Sequence, residues 1–124
     1  MPDVRTSQRG AVRLRIYLDD RTWIGPGKAD LLALIAETGS ISAAGREMGM
    51  SYKRAWTLVE GLNAMFGDPL VERMRGGAQG GGAVLTPLGK EVLTRYRAIE
   101  QAAERAGAAD IAALRRAFDM SRRK

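Results

Sequence analysis

The apolar positions change period several times along the chain, and each change marks an element. Val12, Leu14, Ile16 and Leu18 alternate with Arg13, Arg15 and Tyr17, the period of a half-buried strand. Asp19-Asp20-Arg21 reads as a turn, residues 22–24 as a short returning strand, and Gly25-Pro26-Gly27 as the stop that ends this hairpin. From Lys28 the spacing becomes helical: Leu31, Leu32, Leu34 and Ile35 make one stripe, closed by Gly39. Ser40 is placed to N-cap a short helix reaching about Met48, with Gly49 as the left-handed residue after it. Ser51 is placed to cap the next helix, which reaches about Phe66. Its buried face is Ala55, Leu58, Val59, Leu62, Met65 and Phe66.

Beyond that helix the pattern shortens again. A brief apolar strand, a glycine-rich loop over residues 76–82 and a second short strand predict a β-hairpin with an enlarged tip. Thr86 then caps a helix with Pro87 in its first turn. Leu88, Val92, Tyr96, Ile99, Ala103 and Ala106 follow at steps of four and three, a seam suited to burial against a partner helix. Gly107 reads as the break in that helix, followed by a short amphipathic helix with Ile111, Leu114 and Phe118. There is no internal repeat. The predicted order is two strands, three helices, two strands, two helices. This is a mainly α fold with small β hairpins, the layout of a winged helix-turn-helix. The expected divisions are a disordered N-terminus at 1–10, the winged helix-turn-helix at 11–85, a dimerisation helix and short C-terminal helix at 86–120, and a basic tail at 121–124.

Composition narrows the chemistry. With 124 residues, 45% hydrophobic and 27% charged, the chain supports one globular domain. Its formal net charge of +6 favours polyanionic partners. The absence of Cys and His excludes disulfides, Cys/His zinc sites and any His-based general base or triad, so no metal or cofactor is expected. The opening "MPDVRTSQRG" has no apolar signal region, and no run approaches the ~18 apolar residues that span a bilayer. The expected setting is cytoplasmic and nucleoid-associated, away from the membrane. The excess charge lies mostly outside the helix pair: residues 40–63 carry three basic and two acidic side chains, residues 86–124 nine and five.

In a helix-turn-helix the second helix enters the major groove and reads bases mainly from its N-terminal end. Ala43, Ala44 and Ala55 are placed for the helix crossing, with Gly49 at the turn. Ser51, Tyr52, Lys53, Arg54 and Thr57 cluster at the start of the reading helix, and Ser40 and Ser42 at the start of the supporting one. These residue types suit contact with a duplex, since hydroxyls hold phosphates, Lys and Arg bond guanine O6 and N7, and Tyr packs on sugar or a thymine methyl. Trp56 lies one residue off the apolar stripe, beside Tyr52, and reads as a core-edge anchor rather than a base contact. In the glycine-rich hairpin Arg73, Arg75 and Gln79 are available to phosphates or the minor groove. A P-loop is excluded, because Gly89-Lys90 is followed by Glu91 inside a helix. Asp19-Asp20 is turn chemistry rather than a metal site.

The segments "GSIS", "SYKRAW", "LVER" and "GGGAVLT", in this order and spacing, resemble the DNA-binding domain of ModE-type molybdenum-dependent regulators, which share the winged helix of LysR-type regulators. The resemblance runs from about Val12 to Ala106. It implies that residues 40–48 form the supporting helix, that Ser51-Tyr52-Lys53 opens the recognition helix, and that residues 75–82 form the wing. It also implies a homodimer built on Leu88, Val92, Tyr96, Ile99 and Ala103, which sets two recognition helices on a pseudo-palindromic operator. The 18 residues after Ala106 are too few for the family's molybdate-binding region. A reader without its own sensor is therefore expected, with any signal arriving through a separate effector-sensing protein, dimer stability or abundance. The expected function is sequence-specific binding of double-stranded DNA in transcription regulation, without catalysis. The alternative is a winged-helix protein–protein adaptor.

Overall fold

The computed structural model describes residues 10–74 and 82–123. In chain order the elements are β1 (Ile16–Tyr17), β2 (Trp23–Ile24), α1 (Pro26–Thr38), α2 (Ile41–Glu47), α3 (Tyr52–Met65), β3 (Val71–Met74), β4 (Gly82–Leu85) and α4 (Pro87–Arg122). The strands form two separate antiparallel hairpins, β1–β2 and β3–β4. In the second, Val71 faces Leu85 and Met74 faces Gly82.

Helix α1 lies at the centre. Leu31, Leu32 and Ile35 are fully buried, and α2, α3 and the root of the β3–β4 hairpin close around them through Ile41, Ala44, Ala55, Leu62, Leu70 and Leu85. Each fully buried leucine contributes about 1.5–3 kcal/mol relative to exposure. A second, smaller cluster of Ile24, Ala29 and Tyr96, with Leu14, Ile16, Val92 and Leu93 against it, joins the N-terminal hairpin to α4.

Local signals account for most of the boundaries. Ser40 Oγ accepts from the Ala43 amide at 3.0 Å and Ser51 Oγ from the Arg54 amide at 3.1 Å, each satisfying an otherwise open donor at a helix start. Gly49 takes φ of 72° between α2 and α3, a conformation that favours glycine. Thr86 does two jobs: its hydroxyl accepts from the Gly89 amide to cap α4, and donates to the Pro69 carbonyl at 2.8 Å to fix the hairpin root. The Ala83 amide bonds the Gly39 carbonyl at 2.8 Å, tying β4 to the end of α1.

Several expectations are corrected. Helix α1 starts at Pro26, not after Gly27, because Pro suits the first helical position where no amide partner is needed. Phe66 lies just beyond α3 and is 36% exposed, so it does not complete the buried face. At the α2–α3 crossing Gly45, not Ala43, makes the close approach: a Cβ there would lie 2.9 Å from that of Ala55. Gly107 does not break the last helix. Among alanine-rich turns with no proline, a single glycine weakens a helix by about 1 kcal/mol without stopping it, and α4 runs unbroken for 36 residues. The expected dimerisation helix, the separate C-terminal helix and the first two residues of the basic tail are therefore one continuous helix. The strand expected over residues 12–18 pairs only at Ile16–Tyr17. The expected disordered residues 1–9 and most of the glycine-rich tip lie outside the described residues.

Candidate nucleic-acid interface

The start of α3 projects from the body. Ser51, Tyr52, Lys53, Arg54 and Thr57 are all exposed, with Ala55, Val59 and Leu62 on the opposite, buried side. Ala55, Val59 and Leu62 recur at helical spacing and so share the buried face, while residues 51–54 precede the first member of that stripe and stand beyond the core. Ser51 is committed as cap, and the Thr57 hydroxyl donates to the Lys53 carbonyl at 3.0 Å. Lys53 and Arg54 have no carboxylate partner among the described residues, leaving both cations available.

Beside this face lies a cleft of about 130 Å³ lined by Ser40, Ile41, Ser42, Tyr52, Trp56, Arg73, Gly82 and Ala83. It joins the supporting helix, the reading helix and the wing strands. The Arg73 guanidinium sits 4.8 Å from the centroid of the Trp56 ring, and Tyr52 meets Trp56 edge-on at 6.0 Å. Ser42 Oγ accepts from Arg46 Nη1 at 2.9 Å. Trp56 is half-buried and packs on the core, yet its Nε1–H is closed from solvent and has no partner among the described residues. Arg75 and Gln79 lie outside the described residues.

Two polar supports escape a reading of the sequence alone. Asn63, on α3, accepts through Oδ1 from the Leu70 and Val71 amides at 2.8 and 3.0 Å, and donates through Nδ2 to the Val71 carbonyl at 3.1 Å. This side chain hangs the wing from the reading helix. Its signal in the sequence is an amide beside the apolar stripe, one residue after Leu62. Asp30, 1% exposed on α1, accepts from Arg97 Nη2 of α4 at 2.7 Å, and Arg97 Nη1 bonds Glu100 at 2.9 Å. These carboxylates hold the Arg97 guanidinium above its ordinary pKa against the opposing effect of burial. An acid inside the apolar run "ADLLALI" is the available clue. The N-terminal hairpin carries a third device: Trp23 has Arg15 and Lys28 each 4.0 Å from its ring centre. Burial, with repulsion from Arg15, lowers the Lys28 pKa.

The expected dimer residues divide. Leu88 and Val92 pack on the chain's own core, and Tyr96 is 2% exposed with its hydroxyl donating to the Leu14 carbonyl at 2.7 Å. Ile99 is 42% exposed and Ala103 half-buried. Further along α4, Leu114 and Phe118 are also exposed. No helix among the described residues is long and apolar enough to cross a membrane, and they hold no cluster suited to a metal ion.

Residues 28–90 match the bacterial regulatory helix-turn-helix proteins of the lysR family. The matched half of the chain spans α1 to α3, both wing strands and the first turn of α4. The chain belongs to that family. It is a family of DNA-binding transcription regulators and not of enzymes. Among curated relatives, the chain is 51% identical over 77 residues to the molybdenum-pterin-binding protein MopB of Rhodobacter capsulatus, covering 62% of this chain and 28% of that one. It is 37% identical over 95 residues to the DNA-binding transcriptional dual regulator ModE of Escherichia coli K12, covering 77% and 36%. The chain thus spans about a third of the length of the curated relatives it matches. Among solved structures, the DNA-binding domain of CbnR in complex with DNA aligns with a TM-score of 0.56 at 27% identity, over 71% of this chain and 95% of that one. Full-length CbnR with its target DNA aligns at 0.53 and 26%, over 69% of this chain and 28% of that one.

Proposed function

We propose that this chain is a sequence-specific double-stranded-DNA-binding transcriptional regulator of the ModE/LysR-like type, acting as a homodimer. The observation that carries the reading is the exposed Ser51–Arg54 and Thr57 face of α3, flanked by the wing in the same winged-helix arrangement as a domain solved on DNA. Lys53 and Arg54 contact bases or phosphates, Tyr52 packs on the backbone, and Ser40, Ser42 and the wing hold adjacent phosphates. The wing residues Arg75 and Gln79 belong to the same proposal. Two copies pair along α4, where Ile99, Ala103, Leu114 and Phe118 are not consumed by the chain's own core. The pair sets its recognition helices about one DNA turn apart.

The test is titration of fluorescent duplexes, random and genomic, at several salt concentrations. If a dimer neutralises roughly six to ten phosphates, affinity falls about 10³–10⁵-fold between 50 and 200 mM salt. Absence of saturable, salt-sensitive binding would refute the reading. Sedimentation at micromolar concentration tests the dimer, and a monomeric mass would sink it.

A further inference from the structure

The cleft between α2, α3 and the wing is lined by hydrogen-bond donors that lack an acceptor among the described residues. Ser40 Oγ already accepts from the Ala43 amide and Ser42 Oγ from Arg46, so each hydroxyl has its proton left to give. Tyr52 brings a further hydroxyl, and Arg73 brings a charge with no carboxylate partner among the described residues. Among the described residues no Asp or Glu lines the cleft. Such a lining suits an anionic oxygen acceptor.

Among the described residues Arg73 is the one cation in this lining, and it stands on an exposed strand position. A free arginine there would spread over many rotamers and lose that freedom on binding. Here the guanidinium lies over the Trp56 ring at 4.8 Å. Trp presents the strongest cation-attracting face of the aromatic side chains. The ring itself is fixed by its packing on the core and by the edge of Tyr52. Its closed-off N–H has no acceptor among the described residues, a destabilising feature that phenylalanine would avoid. The position therefore uses the indole's face rather than its donor.

We propose that Trp56 is a positioning residue that holds Arg73 over this cleft, so that Arg73, Ser40 and Ser42 converge on one backbone phosphate of the bound duplex and tie the wing to the reading helix. The inference rests on the DNA-binding reading above. It gives Trp56 a role distinct from reading bases, and it makes wing and helix a single unit.

The test is a double-mutant cycle on the full chain, with duplex affinity measured across salt concentrations. Arg73→Ala and Trp56→Leu should each weaken binding about 10-fold, the worth of one charge-assisted contact, and each should lower the salt slope by about one per subunit. The double variant should be no weaker than Arg73→Ala alone. Trp56→Phe should retain most of the affinity. Multiplicative losses in the double variant would overturn the proposal. So would a Trp56→Phe loss equal to that of Trp56→Leu, since a phenyl ring still offers the guanidinium an aromatic face. If Trp56→Leu fails to fold by circular dichroism, Arg73→Lys carries the test. It keeps the charge without the flat stack, so wild-type affinity for it would overturn the proposal. Saturable quenching of tryptophan fluorescence by inorganic phosphate, abolished by Arg73→Ala, would make the cleft a free-anion site and also overturn it. A wild-type chain that binds no duplex fails the underlying DNA reading, whereas a binding wild type with an additive cycle fails this proposal alone.

Discussion

Replacing Asn63 with alanine should unhook the wing from the reading helix. The side chain makes three bonds to β3 and its approach, at 2.8, 3.0 and 3.1 Å. Leu70 and Val71, whose amides donate two of them while the Val71 carbonyl accepts the third, are 0% and 4% exposed, so water reaches the orphaned groups poorly. Each such bond is worth about 0.5–1.5 kcal/mol net, and a buried orphan costs about 1–3 kcal/mol. Because the three share one side chain, they do not add in full. The expected loss is about 2–4 kcal/mol, a large share of the ~5–15 kcal/mol typical of a domain. Urea unfolding followed by circular dichroism should show the midpoint falling by roughly 1–3 M, given slopes of about 1–3 kcal/mol/M. Asn63→Asp keeps the oxygen that accepts from both amides but sets a second carboxylate oxygen against the Val71 carbonyl, so it should recover only part of the loss. An Asn63→Ala midpoint within about 0.3 M of wild type, or an Asp variant no better than Ala, would refute the reasoning.

Arg97→Met leaves Asp30 buried without its guanidinium and should cost about 3–5 kcal/mol in denaturant unfolding; adding Asp30→Leu should restore part of it, and a further full loss would argue against the pair. Burial, with the Glu100 charge nearby, pushes the Tyr96 hydroxyl up to about 12. Since the fold favours the neutral phenol, its contribution is complete below the unfolded value near 10 and is lost as pH rises from there through about 12. Tyr96→Phe should therefore flatten that part of the stability–pH curve, and an unchanged alkaline slope would count against it. Lys53→Ala should cost about 1–3 kcal/mol at the preferred site if it reads a base; equal weakening on every duplex would reduce it to a phosphate contact.

Much of the reading head is legible in the residues alone. Ser40, Gly49 and Ser51 act within three or four residues of themselves, so their roles as caps and turn follow from side-chain chemistry in a short window. The exposed cluster at the start of α3 precedes Ala55, the first member of the helix's buried stripe. The seam on α4 is equally legible as apolar, but periodicity does not say what covers a stripe. Val92 and Tyr96 turn out to pack against the chain's own N-terminal hairpin, Tyr96 in full and Val92 in part. A break at Gly107 does not occur because a glycine's weak local preference yields to the strong helix formers around it.

The sequence by itself determined the order of elements as far as the second hairpin, the capped helix pair and the outward placement of Lys53 and Arg54, because these depend on residues within one or two turns. The tertiary structure alone decided that Arg97 neutralises Asp30 across 67 positions and that Tyr96 bonds Leu14 across 82. It alone also laid Arg73 of the wing over Trp56 of the reading helix. Such partners are chosen by the packing of distant elements around α1, and a buried charge or hydroxyl accepts whichever group that packing delivers.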